Sequence, residues 1–137
     1  MTPRYFTVDQ ANRLLPVLIP LLEELRALKR RVDDLQDEQR RLFEKARTNG
    51  HNRAAEVADL AGQTERLINE TGERLARIRA LGVEVKDIEL GLIDFLSLHR
   101  GQRVYLCWKL GEPSVRFWHT LEGGYAGRQP IPGTDSE

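Results

Sequence analysis

Little in this chain serves covalent cross-linking or membrane insertion. Of its 137 residues only one is cysteine, Cys107, and only one is methionine. A lone cysteine excludes an intrachain disulfide framework and fits a reducing compartment. An excess of either charge is missing too, since 21 basic and 21 acidic residues cancel and the pI falls near 6.9. Proteins that sample phosphate backbones are normally basic, so the balance argues against nucleic-acid binding. The longest apolar run, residues 14–22, is short and is broken by Pro16 and Pro20. The N-terminus shows no charged region leading into an apolar stretch and a cleavage site. These absences point to a cytoplasmic protein without a membrane span. No complete catalytic or nucleotide-binding signature is present either, so the sequence names no reaction.

What is present divides into two parts. A mass of 15.7 kDa is that of one domain, taken as residues 1–131, with a disordered tail over 132–137. Thr7 and Gln10 stand in capping-box spacing, with Phe6 and Ala11 placed as a hydrophobic staple, which predicts a first helix over 7–47. Leu14, Leu18, Leu21, Leu25, Leu28, Val32, Leu35 and Leu42 recur in steps of four and three, with Gln39 filling the one polar seam position. This is a heptad seam. Pro16 and Pro20 interrupt it, and a kink or break is expected there. Turn residues cluster around residues 48–52, with Gly50 suited to a left-handed C-terminal position and Asn52 to an N-cap.

A second helix is expected over 53–81, with a weaker seam through Val57, Leu60, Thr64, Leu67, Thr71 and Ile78. The short connection makes it antiparallel to the first, in a coiled-coil-like hairpin whose longer arm spans about 60 Å at 1.5 Å per residue. From Gly82 the pattern changes to short β runs, and residues 83–120 read as a small antiparallel sheet. The fold class is therefore α+β. Residues 103–109 and 114–119 form its clearest hairpin, and a four-residue loop fits because Pro113 lacks an amide hydrogen. That loop would place Val104, Leu106 and Trp108 on one face with Val115, Phe117 and His119, and would turn Cys107 to the other. Residues 121–131 read as a glycine-rich loop.

Asp94 and His119 are the polar residues most out of place, because strand alternation puts each on an apolar face. Buried carboxylates and imidazoles need partners. Three readings follow: a structural hydrogen bond that locks the sheet, two ligands of a zinc or similar divalent ion, or an acid/base dyad. The structural pair ranks first, and His99 is the best third ligand within the chain, although a solvated loop histidine is its plainer reading. Cys107, without CxxC spacing, reads as a core thiol rather than a ligand or nucleophile. Glu112 lies in the hairpin turn, roughly 20 Å along the strand from His119, and reads as a solvated turn residue or a contact to another chain. Residues 123–128 could wrap an anion with backbone amides and the Arg128 guanidinium, but they lack the lysine and spacing of a phosphate loop, and an ordinary loop is the favoured reading. The runs Lys29-Arg30-Arg31 and Arg40-Arg41 alternate with acids and read as solvated helix surface.

The order of motifs resembles the domain-of-unknown-function 2203 family of small prokaryotic proteins. The segments that carry it are Phe6-Thr7 through Leu14-Leu15-Pro16, Val85-Lys86-Asp87, Gly91-Leu92-Ile93-Asp94-Phe95, Leu106 through Glu112, Phe117-Trp118-His119 and Gly127-Arg128-Gln129-Pro130. The resemblance implies that Asp87, Asp94, Cys107, Trp108, Glu112, His119 and Arg128 occupy motif positions. Leu96 and Thr120 depart from the pattern. The resemblance brings no activity with it.

Two function classes follow. The first, favoured by the long seam, is a non-enzymatic interaction module that forms a homodimer or docks a protein partner through Leu28, Val32, Leu35 and Leu42. The second is a metal-binding or metal-dependent protein built on Asp94 and His119.

Overall fold

The computed structural model describes residues 4–49 and 53–132. Helix α1 (Val8–Asn49) and helix α2 (Ala54–Ala80) lead into five strands: β1 (Val83–Asp87), β2 (Leu92–His99), β3 (Gln102–Lys109), β4 (Phe117–Thr120) and β5 (Gln129–Pro130). The strands form one antiparallel meander in sequence order. The architecture is α+β, a helical hairpin followed by an antiparallel sheet.

The capping box starts α1 as its spacing requires. Thr7 N–H donates to Gln10 Oε1 at 2.9 Å and Gln10 N–H donates to Thr7 Oγ1 at 3.1 Å. Of the kink or break expected at the prolines, the break does not occur, since α1 is continuous through Pro16 and Pro20. Each proline costs about 3 kcal/mol. Leu15, Leu18, Leu22 and Leu25 are all buried around them, and each contributes about 1.5–3 kcal/mol of burial. The apolar base of the helix therefore offsets the lost backbone bonds. Arg53 takes the N-cap position of α2, while Gly50, Asn52 and the tail beyond Pro132 lie outside the described residues.

The seam divides by burial. Leu18, Leu25 and Leu35 are fully covered within the chain, whereas Leu28, Val32 and Leu42 remain half-buried. The polar seam position finds a specific partner, for the Thr64 hydroxyl bridges Gln39 Oε1 at 3.2 Å and the Leu60 carbonyl at 2.9 Å. Such a polar layer fixes the helix register. Arg74 Nε and Glu24 Oε2 add a 3.1 Å ion pair between the helices.

The base of the hairpin packs on one face of the sheet, where Ile93, Phe95, Leu106, Trp108 and Val115 join Phe6, Leu18, Leu22 and Ile78 in the core. Phe6 meets Phe95 edge to face at 5.3 Å. Residues 88–91, inside the span read as sheet, make the β1–β2 turn. Asp87 closes it by accepting from Leu90 N–H at 2.9 Å, and Gly91 adopts φ +61° with Leu110 packed where a Cβ would stand. Only glycine suits that position.

The β3–β4 register also differs from expectation. Residues 114–116 are not strand; Val115 drops into the core and its N–H donates to Asn12 Oδ1 on α1 at 2.7 Å. Alternation restarts at Phe117, so Tyr105 pairs with His119, Leu106 with Trp118 and Cys107 with Phe117. Since facing residues share a side, Cys107 lies on the same face as His119. The expected loop likewise contains a 3₁₀ turn, Tyr125–Gly127, and the two residues of β5, which pair with β4.

Candidate metal centre

Asp94 stands between Ile93 and Phe95, both of which point into the helix-packed core, so its side chain faces the opposite side of the sheet. Cys107 is its cross-strand partner on β3, and His119 stands next along on β4. All three are buried, at 2%, 0% and 2% exposure. His119 Nε2 lies 3.1 Å from both Asp94 carboxylate oxygens. One ligating atom from each of Asp94, Cys107 and His119 lies within 4.8 Å of the other two.

The hydrogen bonds around His119 constrain its protons. Nδ1 lies 2.7 Å from the Thr120 backbone carbonyl, which can only accept, so Nδ1–H is the donor. A neutral ring then carries its lone pair on Nε2, aimed at a carboxylate that also only accepts. Two acceptors at 3.1 Å need a proton or a cation between them: a second ring proton, a proton on the Asp94 carboxyl, or a metal ion. A backbone carbonyl that fixes the free nitrogen is the usual outer partner of a metal-bound histidine.

Its surroundings hold Cys107 as a thiol. Burial pushes it up to about 12 and the Asp94 charge adds to the effect, while the Arg128 guanidinium opposes it. Tyr105 packs over the His119 ring at 5.5 Å, and its hydroxyl donates to Glu84 at 2.6 Å. That bond and burial raise Tyr105 to about 12. For Glu84, burial acts upward, but Tyr105 and Lys86 outweigh it and hold the carboxyl below its usual range.

A pocket of about 230 Å³ lies over the pair, with Asp94 and His119 in its lining together with Lys86, Leu92, Tyr105 and Tyr125. Lys109 Nζ donates to the Tyr125 hydroxyl at 2.8 Å and lowers its pKa. Beside the cluster, Arg128 donates to Glu112 at 2.7 Å and to the Cys107 carbonyl at 3.3 Å, with its guanidinium 4.1 Å over the Phe117 ring.

The expected sites are thus partly assembled and partly reassigned. Asp94 and His119 meet directly. His99 does not join them; it stacks on Trp118 at 5.8 Å, exposed at the end of β2. Cys107 takes the third place, because the break in alternation at residues 114–116 reverses the face on which His119 lies. Glu112 is not a solvated turn residue, since its side chain is only 15% exposed and paired with Arg128. Its carboxylate also accepts from Lys109 N–H, and its carbonyl accepts from the Trp108 indole at 3.1 Å. Trp108 is a core residue, and Asp87 shapes the β1–β2 turn. Sequence reasoning passed over Tyr105, Lys86 and Tyr125. Tyr105 alternates with Leu106 beside Cys107 on β3, and only the β2–β3 register places it on the Asp94 face.

The fold and this cluster define an α+β protein: a helical hairpin on a five-stranded meander, with a carboxylate, a thiol and an imidazole gathered on the sheet's outer face. The chain belongs to the family described as an uncharacterized conserved protein, DUF2203, which matches residues 4–131. Neither the curated proteins nor the solved structures gave a match. Among the described residues no helix is long and apolar enough to cross a membrane.

Proposed function

We propose that this is a metal-binding protein whose ion is held by Asp94, Cys107 and His119. The observation that carries the reading is the convergence of three buried, chemically different donors within 4.8 Å. Oxygen, nitrogen and sulfur together suit zinc or a similar divalent ion, whose bonds of about 2.0–2.3 Å need ligand separations a few tenths of an ångström beyond the 3.1 Å between His119 and Asp94. A divalent ion also balances a carboxylate and a thiolate, removing the cost of burying unpaired charge. Three protein ligands leave a position open, as in metal sites that handle an exchangeable ligand.

Elemental analysis of the dialysed full chain tests this. About one equivalent of zinc or a similar ion per chain is expected, lost in Asp94→Asn, Cys107→Ser and His119→Ala. A folded protein that takes up no metal on zinc addition would leave Asp94 and His119 as a structural pair.

A second reading, favoured by the half-buried Leu28, Val32 and Leu42 and the exposed Phe43 and Ile68, is that a second copy of the chain covers the outer hairpin. The two readings concern opposite ends of the molecule and are compatible.

A further inference from the structure

We infer that the open position of the metal centre faces the pocket over Asp94 and His119 and accepts the carboxylate of a small organic monoanion. The inference rests on the metal reading and adds the class of ligand. Asp94 and His119 contribute to the pocket lining, whereas Cys107 lies outside it. An ion held among the three therefore has the thiolate on its protein side and the cavity on its free side.

The size and walls of the cavity set the rest. A volume of about 230 Å³ is below the range of drug-sized sites, so the ligand is small. Leu92, Leu121, Tyr105 and Tyr125 are four of the eight lining residues, and the lining is more apolar than polar, which suits an apolar or aromatic body. The charges around it leave a positive balance. With Asp94 and the thiolate neutralised by the ion, Lys86 is the charged side chain left in the lining, and Lys109 reaches the pocket's edge through the Tyr125 hydroxyl. Glu84, paired with Lys86 at 2.9 Å and bonded to Tyr105, offsets one of the two. One unit of positive charge remains, which matches a monoanion. The Lys86–Glu84 pair is exposed on both sides, so it holds the ammonium only weakly and leaves it able to turn toward a ligand.

Cobalt(II) in place of the native ion gives two separate readouts on the full chain: a sulfur-to-cobalt charge-transfer band for the Cys107 bond, and visible ligand-field bands for the open position. Benzoate is the probe and inorganic phosphate the comparator. Benzoate is expected to shift the ligand-field bands saturably, phosphate to act more weakly, and Lys86→Ala to weaken benzoate about fivefold with the charge-transfer band unchanged. A charge-transfer band with ligand-field bands indifferent to benzoate would overturn this inference and leave the metal reading standing. A response to phosphate alone, or an unchanged benzoate affinity in Lys86→Ala, would overturn the organic-monoanion assignment. Absence of the charge-transfer band would remove the metal reading and this inference with it.

Discussion

Arg128 and Glu112 form a nearly buried ion pair at 2.7 Å, their side chains only 11% and 15% exposed. Residues sixteen apart in the chain are thereby joined, tying the β3–β4 connection to the segment that leads into β5. The pair also touches the candidate centre, since the same Arg128 nitrogen reaches the Cys107 carbonyl. Removing Arg128 leaves the Glu112 carboxylate with the Lys109 N–H but without a countercharge in a largely dry setting. Arg128→Ala should therefore cost about 3 kcal/mol in urea unfolding. Arg128→Lys should recover only part, because a point charge cannot reproduce the guanidinium's contacts with Glu112, the Cys107 carbonyl and the Phe117 ring. A loss below about 0.5 kcal/mol for Arg128→Ala would show the pair to be solvated in practice.

The metal-free protein should lose stability in alkali. Cys107 and Tyr105 are both raised to about 12, from ordinary values of 9.0 and 10.0. Below those ordinary values both groups are protonated in the folded and unfolded chains, and their contribution is fully present. Above them the unfolded chain releases protons that the folded chain keeps, so stability falls as pH rises from about 9 towards 12. Chemical denaturation at stepped pH should show the decline, and Tyr105→Phe should reduce its upper part. In the same metal-free state Cys107 should react with an alkylating reagent only after unfolding.

The helical hairpin was legible because its signals are local and repeated: a capping box at Thr7 and Gln10, and leucines in steps of three and four. The polar contact between Gln39 and Thr64 was visible only as two seam residues. The Asp94–His119 pair was legible for a different reason, namely that burying either alone is costly and each had few alternatives. What could not be read was the face of Cys107. That depends on a single break in alternation, where Asn12 of α1 captures the Val115 amide from a point 103 residues earlier in the chain. No pattern within the β segment encodes such a contact.

The half-buried part of the seam bears on self-association. Leu35 is buried between α1 and α2, so Leu35→Asp should unfold the hairpin and would say little about assembly. Leu42 is half-buried and Phe43 is 57% exposed, so charges there should spare the monomer fold. If a second copy covers this end, sedimentation equilibrium should show a dimer for the native chain and a monomer with unchanged helicity for Leu42→Asp combined with Phe43→Asp. A native chain that stays monomeric at high micromolar concentration would remove the self-association reading.

Cys107 separates packing from ligation most cleanly. As a core residue it is a small side chain filling space beside Asp94, and Cys107→Ala should cost only about 1 kcal/mol in the metal-free protein. As a ligand it should matter far more once an ion is present. A metal that binds only the folded state stabilises it by mass action, about 2.7 kcal/mol when the free ion stands at a hundred times its dissociation constant. The native chain should therefore melt at a distinctly higher temperature with zinc than with a chelator. Cys107→Ala should melt near the chelated native protein and respond little to zinc. His119→Ala should lose the zinc response too, with a larger metal-free loss because it leaves the Asp94 carboxylate buried without its partner. Equal zinc shifts in the native chain and in Cys107→Ala would place any bound ion elsewhere and return Cys107 to the core.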